Sequence, residues 1–211
     1  MKSVTLAPED HRYPAALQQR SGDKTPPHLS TLGNLDILHT KKLGLFCSVK
    51  CPGRLILRTY DLAQHLREAG VTVVSGFHSP IEKECLRLLL RGTQPIIICP
   101  ARSLEGMRLP AEWKEPLGTG RLLLLSIFAT NHRRADDRLV SRRNELVVRL
   151  ADKVFLAYAS PGGKTEQLRQ TALAQSRQLF TLADSEQEPS DVSGIEQIEA
   201  QNPAKLLTGL I

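Results

Sequence analysis

Aromatic side chains are scarce in this 211-residue chain and make up 4% of it. Proteins that stack rows of aromatic rings on unpaired bases gain about 1–3 kcal/mol per stack, so the scarcity argues against such a row. No apolar run reaches the roughly 18–20 residues that a membrane span requires. Residues 1–10 also lack the apolar core of a secretory signal. We therefore expect no membrane association and a cytoplasmic location.

Cysteine is also infrequent, with four residues at Cys47, Cys51, Cys85 and Cys99. All four lie in or beside apolar segments, which predicts free thiols in a reducing compartment. Cys47 and Cys51 have the spacing Cys-x-x-x-Cys, but no second pair of ligands lies near them in the sequence. A zinc site is therefore disfavoured, and we expect neither a metal nor a cofactor.

Positively charged residues are in modest excess, with 28 Lys and Arg against 22 Asp and Glu. The resulting net charge of +6 suits an anionic partner such as a nucleic acid, a nucleotide or an acidic surface. Composition does not choose among these partners.

From about residue 43, short apolar runs alternate with amphipathic segments. The predicted strands cover 43–47, 71–74, 95–99, 121–125, 154–158 and 178–181, and the predicted helices cover 54–69, 80–91, 138–151 and 164–175. Strands that are apolar throughout and alternate with helices indicate a parallel sheet covered on both faces. We predict an α/β fold of the Rossmann type, a doubly wound and mostly parallel sheet of about six strands with helices on both faces.

Three segments are expected along the chain. Residues 1–40 contain four prolines and are predicted to be an irregular N-terminal extension. Residues 41–184 form the Rossmann-like domain. Residues 185–211 are predicted to be a solvated linker followed by a short helical tail.

In an open parallel sheet, ligands bind beyond the carboxyl ends of the strands. The first strand is followed at residues 47–54 by Cys-Ser-Val-Lys-Cys-Pro-Gly-Arg. Gly53 would let backbone amides approach an anion at a helix start, and Lys50 and Arg54 would add positive charge. The alternative is a surface turn that exposes two bases.

The second strand end contains the sequence Ser-Pro-Ile-Glu at residues 79–82. This pattern is typical of a capping box with proline in the first helical turn, which accounts for Glu82 structurally. Capping does not account for Ser75, Gly76 or His78. We regard these three as candidate phosphate contacts, the alternative for His78 being an ordinary loop histidine.

The helix predicted at 138–151 places Arg143 on its apolar face, because positions 139, 143, 146 and 150 are spaced by four, three and four residues. A guanidinium there must extend to solvent, pair with an acid or face an anionic ligand. We expect Arg143 to contact the ligand. Arg138, Arg142 and Arg149 lie on the neighbouring face, where we expect them to be mostly solvated.

The fifth predicted strand is followed at residues 159–166 by Ala-Ser-Pro-Gly-Gly-Lys-Thr-Glu. Gly162, Gly163 and Lys164 at a helix start are suited to holding an anion. The segment is not a Walker A loop, since that motif needs glycine where Tyr158 stands. The alternative is a tight glycine turn.

The order of these motifs resembles the DNA-processing protein A (DprA/Smf) family from about residue 13 to residue 184. The similar segments are Tyr13-Pro14 to Leu17, Pro26 to Leu29, Gly33-Asn34, Val73 to Gly76, Arg143-Asn144 and Ala157 to Thr181. The resemblance implies a Rossmann-like domain that binds single-stranded DNA at a basic pocket, forms a homodimer and helps to load a recombinase.

The chain departs from the family pattern at two strand ends. The family's Gly-Ser/Thr-Arg reads Cys47-Ser48-Val49, so that its arginine is absent and Lys50 is the available substitute. The family's Arg-Gly-Ile-Asp reads Ser-Pro-Ile-Glu at residues 79–82, so a second arginine is absent.

A second resemblance is to the LOG and lysine-decarboxylase-like superfamily, through Pro161 to Glu166 and an arginine on the preceding helix. It implies a nucleotide sensor or a nucleoside-monophosphate phosphoribohydrolase, with Arg143 binding phosphate and Glu166 acting as acid or base. Glu166 is alternatively a first-turn residue favoured by the helix dipole. A scaffold that acts through dimer contacts alone is a third hypothesis.

Our leading hypothesis from the sequence is a non-catalytic, DprA-like protein that binds single-stranded DNA or a nucleotide at the strand ends. The predicted contacts are Lys50, Ser75, Gly76, His78, Arg143, Gly162, Gly163 and Lys164.

Overall fold

The structure is a computed structural model that describes residues 3–18, 25–130, 132–184 and 194–211. The described residues form one nine-stranded sheet with helices on both faces. The strands are β1 Val4–Leu6, β2 Leu29–Gly33, β3 Lys42–Phe46, β4 Thr72–Ser75, β5 Ile96–Ile98, β6 Leu122–Ser126, β7 Lys153–Leu156, β8 Gln178–Leu182 and β9 Glu196–Ile198. The helices are α1 Ala15–Gln18, α2 Gly53–Glu68, α3 Pro80–Leu90, α4 Lys114–Gly118, α5 Asp137–Leu150, α6 Lys164–Ala174 and α7 Ala204–Leu207, with short 3₁₀ helices at Leu35–His39 and Ala111–Trp113.

The strand order is β1-β2-β6-β5-β4-β3-β7-β8-β9. From β3 the chain builds β4, β5 and β6 to one side and then returns to place β7 on the other side of β3. All pairs from β6 to β9 along the sheet are parallel, while β2 pairs antiparallel with β6 and with β1. The predicted mostly parallel α/β fold is confirmed.

The expected number of six strands is wrong, because the sheet has nine. The three additional strands are β1 and β2, within residues 1–40, and β9, within residues 185–211. These strands lie at or near the two edges of the sheet and are short or partly polar. They therefore lack the continuous apolar runs by which the central strands can be recognised.

Two apolar layers enclose the central strands. Leu43 and Leu45 of β3 pack with α2 and α3 on one face, whereas Phe46 packs with α5 and α6 on the other. The space beside Gly44 is filled by Ala151, the residue that follows α5, since an added Cβ would lie 3.1 Å from its Cβ. Burial on both faces explains the continuous apolar runs within these strands.

The helix starts at the carboxyl edge of the sheet follow local capping rules. The Oγ of Ser79 accepts from the backbone N–H of Glu82 at 3.2 Å, and Pro80 occupies the first turn of α3. The predicted capping box is therefore confirmed. The Oδ1 of Asp136 caps α5 by accepting from the N–H of Leu139 at 2.8 Å. These caps fix where α3 and α5 begin relative to the strand ends.

The four cysteines are free thiols, as predicted. Among the helices of the described residues, none is both long and apolar enough to cross a membrane.

Candidate nucleic-acid interface at the strand ends

A cleft of about 320 Å³ opens at the carboxyl ends of β3 and β7, and we call it the strand-end cleft. It lies where the chain changes direction across the sheet, which is where open α/β sheets bind ligands. Four separate segments contribute its walls. Its lining includes Ser48, Lys50, His78, Ser79, Glu82, Asp137, Arg143, Asn144, Ser160, Gly163 and Lys164.

Two serines join the loops that follow β3 and β7. The Oγ of Ser48 accepts from the N–H of Ser160 at 2.9 Å. The Oγ of Ser160 donates to the carbonyl of Lys50 at 2.9 Å. The N–H of Ser48 also donates to the carbonyl of Tyr158 at 3.0 Å. These bonds fix the backbone that presents Lys50, whose side chain is exposed at the rim of the cleft.

Glu82 is buried and is bonded to three backbone donors. One carboxylate oxygen, Oε1, accepts from the N–H of Cys47 at 3.0 Å. The other, Oε2, accepts from the N–H groups of His78 at 2.7 Å and Ser79 at 3.3 Å. The side chain therefore joins the end of β3 to the turn before α3, in addition to capping that helix.

Arg143 brings a buried positive charge to the cleft, since only 3% of the residue is exposed. Its Nη1 donates to the carbonyl of Cys99 at 3.2 Å, and its Nε donates to Oδ1 of Asn144 at 2.8 Å. Burial lowers the pKa of Arg143, while the Glu82 charge opposes that shift. Arginine stays protonated in proteins, so the guanidinium is a fixed cation at this site.

Ser75 and Gly76, at the end of β4, lie behind the wall of the cleft. Among the described residues, neither belongs to the cleft lining. Ser75 is fully buried, and its Oγ accepts from the N–H of Phe77 at 3.1 Å. Gly76 lies directly under Arg143. Phe77 takes the left-handed backbone conformation, with φ of 45°, so the chain turns sharply after β4.

His78 stands exposed at the rim of the cleft. Partial desolvation lowers the pKa of its ring, and the charges of Arg143, Lys83 and Lys164 lower it further, whereas Glu82 raises it. The ring therefore becomes charged only under more acidic conditions than an ordinary histidine requires.

The glycine-rich segment after β7 forms the opposite wall. Gly163 is the N-cap residue of α6, and Gly162 before it has a φ of +68°, a conformation that suits glycine. Gly163 and Lys164 line the cleft, whereas Gly162 is not among the lining residues that the structure describes. In the first turn of α6 the N–H of Glu166 donates to the carbonyl of Gly163 at 3.1 Å. The amides of Lys164 and Thr165, at the first two helical positions, have no carbonyl acceptor within the helix and can face an anion.

Lys164 forms an ion pair with Asp137, in the first turn of α5. Both side chains remain largely accessible, with 43% of Lys164 and 90% of Asp137 exposed. Sequence reasoning missed Asp137, because an acidic residue in a first turn is ordinarily explained by the helix dipole.

The Glu166 side chain is hydrogen-bonded to Arg169 and, in the part of the chain that the structure describes, not to a residue of the cleft. Its Oε1 accepts from Nε of Arg169 at 2.9 Å and also from Nη2 of the same residue. Among the described residues, Glu166 is not part of the cleft lining. The acid or base that the phosphoribohydrolase hypothesis requires is thus directed at Arg169.

A sequence model of the family described as DNA recombination-mediator protein A matches residues 4–210. The chain belongs to this family. No curated protein matches it.

Solved structures of two DprA proteins share the fold. The DprA of Streptococcus pneumoniae has a TM-score of 0.79 at 19% identity, covering 100% of this chain and 75% of that one. The DprA of Helicobacter pylori, described for its single-stranded DNA binding mode, has a TM-score of 0.78 at 20% identity and covers 98% of this chain and 96% of that one. A molybdenum cofactor binding protein from Rippkaea orientalis is more distant, with a TM-score of 0.58 at 12% identity, covering 80% of this chain and 96% of that one.

Proposed function

We propose that this member of the DNA recombination-mediator protein A family binds single-stranded DNA at the strand-end cleft and catalyses no reaction there. The proposal rests on the position of four basic or titratable side chains around one cleft. Lys50, His78, Arg143 and Lys164 come from four different segments and line one cleft. Such convergence of cations from separate loops is expected at a site for phosphate groups.

The proposed phosphate contacts are of two kinds, exposed lysines and a buried arginine. The exposed side chains of Lys50 and Lys164 can pair with phosphates, and the first backbone amides of α6 can donate hydrogen bonds to a phosphate oxygen. Arg143 is held by Cys99 and Asn144 and supplies a fixed positive field. The acidic groups present are Glu82, bonded to backbone donors, and Asp137, paired with Lys164.

The DprA protein of Helicobacter pylori, which is described as binding single-stranded DNA, has the same fold over 98% of this chain. That likeness supports the same ligand here. Because aromatic rings are few, we infer that phosphate contacts supply most of the affinity. The logarithm of the binding constant should then fall with the logarithm of salt concentration by about 0.7 per phosphate contacted.

A second candidate is the binding of a mononucleotide without cleavage. The volume of about 320 Å³ lies within the range of small-molecule sites, roughly 300–1,000 Å³. The pairing of Glu166 with Arg169 disfavours hydrolysis at this site.

The decisive experiment is binding of a fluorescently labelled oligonucleotide of about 20 nucleotides at about 50 and 200 mM salt, with AMP as competitor. We expect salt-sensitive binding that AMP does not displace. Replacing Lys50 and Lys164 with alanine should weaken binding at least about tenfold, since two phosphate contacts are lost. Displacement by AMP would favour the mononucleotide instead, and hydrolysis of AMP would contradict the proposal that no reaction is catalysed at the cleft.

The matched control is R87A/R91A, which also removes two positive charges. Both arginines are exposed on or next to α3, on the face of the sheet opposite α5 and α6. Its binding should stay within about twofold of wild type, because distant exposed charges are screened at these salt concentrations. An equal loss in both double variants would show that net charge, and not the cleft, controls binding.

Homodimer formation and delivery of DNA to a recombinase belong to the same proposal and rest on the family. Sedimentation of the full chain tests the first, and recombinase loading on DNA covered by a single-strand binding protein tests the second.

A further inference from the structure

The outer face of α5 borders a larger cavity than the strand-end cleft. This cavity, here named the α5 groove, has a volume of about 480 Å³ and lies between α5 and the segments that contain Pro27 and Ile127. Three arginines line it, namely Arg138, Arg142 and Arg149, with Glu145 as the acidic residue among its lining. The helical spacing predicts that these arginines are mostly solvated. In the structure they line a concave surface.

Two of the arginines are held in place. The guanidinium carbon of Arg142 lies 5.6 Å from the centre of the Phe128 ring, a distance typical of a cation–π contact. The Nη2 of Arg149 donates to the carbonyl of Leu17 at 3.1 Å. Arg138 is exposed, one turn before Arg142. From Arg138 to Arg149 the basic row extends for about 16 Å along the helix.

A third cavity lies between the groove and the strand-end cleft. It has a volume of about 190 Å³ and lies between α5 and α6. It shares Asn144 and Lys164 with the cleft, and it shares Arg142 and Glu145 with the α5 groove. The three concave surfaces are therefore neighbours across α5, separated by the side chains they share.

We propose that the α5 groove is a second contact for the same single strand. The phosphodiester backbone leaves the cleft beside Lys164, crosses α5 at Asn144 and Arg142, and continues along the arginine row. This inference rests on the proposed function. It goes beyond that function because it assigns DNA contacts to a helix face that the strand-end motifs do not include.

The chemistry of the groove favours a phosphodiester over a peptide segment. Guanidinium groups match the oxygens of phosphate in a planar, two-pronged geometry. The groove presents three of them against one carboxylate. An acidic peptide would also be attracted, but a nucleic-acid strand carries one negative charge per nucleotide and so matches both the cations of the cleft and the arginine row.

The test compares two oligonucleotide lengths on the full chain. An oligomer of about 4 nucleotides fills the cleft alone, whereas one of about 15 nucleotides can also reach the groove. In R138A/R142A, we expect affinity for the long oligomer to fall about tenfold and affinity for the short one to stay within about twofold. The salt slope for the long oligomer should shrink by about 1.4, the amount for two phosphate contacts on a single strand.

The control R87A/R91A removes the same charge from the opposite face and should leave both affinities unchanged. R138K/R142K, which keeps the charge, should recover part of the long-oligomer affinity. Equal losses for the two lengths, or equal effects of R138A/R142A and the control, would overturn the inference. If wild type binds neither oligomer, the proposed function itself fails, so the two failures are distinguishable.

Crosslinking of wild type provides a measurement that needs no variant to fold. Ultraviolet crosslinks from the long oligomer should map to residues 138–149 as well as to the strand-end loops, while those from the short oligomer should map to the loops alone. Long-oligomer crosslinks confined to the loops would contradict the path across α5.

Discussion

The guanidinium of Arg143 occupies the space that a side chain at Gly76 would require. An ideal Cβ added to Gly76 would lie 1.0 Å from Nη1 of Arg143 and 1.8 Å from its Cζ. Arg143 is held by the carbonyl of Cys99 and by Asn144, so moving its guanidinium aside would break these hydrogen bonds. The glycine after β4 and the arginine of α5 are therefore a matched pair.

We expect Gly76→Ala to lower the free energy of unfolding by about 1–3 kcal/mol, the range for an overpacked site. The displaced guanidinium should also weaken oligonucleotide binding. Chemical denaturation and fluorescence binding measure the two effects.

The double variant Gly76→Ala with Arg143→Ala identifies the cause. If the clash is the mechanism, the alanine should cost less in the Arg143→Ala background, with a coupling of about 0.5–3 kcal/mol. Strictly additive losses would mean that residue 76 acts through its backbone alone.

Glu82→Gln should destabilise the protein by about 1–3 kcal/mol, because one carboxylate oxygen that accepts backbone N–H groups becomes an amide donor. The oxygens of Glu82 now accept from Cys47, His78 and Ser79. Thermal unfolding measures the change. Glu84→Gln, on the same helix but partly exposed, is the matched control and should change stability by less than about 0.5 kcal/mol.

Oligonucleotide binding should strengthen as pH falls below the ordinary histidine range. Partial desolvation and the neighbouring charge of Arg143 lower the pKa of His78, so its ring gains a proton only at a lower pH than an ordinary histidine. A bound phosphate favours the protonated ring, so protons are taken up on binding and acid increases affinity. The gain should be about two- to fivefold, in keeping with up to about 1 kcal/mol for an exposed charge pair.

His78→Gln identifies the responsible group among the six histidines of the chain. Binding curves between pH 5.5 and 7.5 should be nearly flat for this variant. If its pH dependence matches that of wild type, another histidine is responsible.

Asp137→Ala should strengthen DNA binding about two- to fivefold. The substitution removes a negative charge from the cleft and frees Lys164, which is now paired with it. Stability should change by less than about 1 kcal/mol, because the pair is exposed. Lys164→Ala should weaken binding, and the combined variant should resemble Lys164→Ala if the aspartate acts mainly through the lysine.

The sequence predicted the parts of this protein that depend on local pattern. The apolar runs of the central strands and the capping box at Ser79 are visible in a single segment of chain, and both are present in the structure. The placement of Arg143 on the buried face of its helix also followed from spacing alone.

The features that the sequence did not predict depend on segments far apart in the chain. Ser48 bonds to Ser160 across 112 positions, and Arg143 bonds to the carbonyl of Cys99 across 44. Such partners are decided by the strand order, which places β3 beside β7. Likewise, the assignment of Ser75 as a phosphate contact rested on its place at a strand end, whereas its side chain is buried and bonded to the turn.

The two outermost strands have a consequence for how copies of this chain meet. Strands β1 and β9 each contain three residues and close opposite edges of the sheet. A long unpaired edge offers a row of backbone donors and acceptors to which another chain can add a strand. Edge strands of three residues offer few backbone groups for pairing, which disfavours the addition of a strand from another copy.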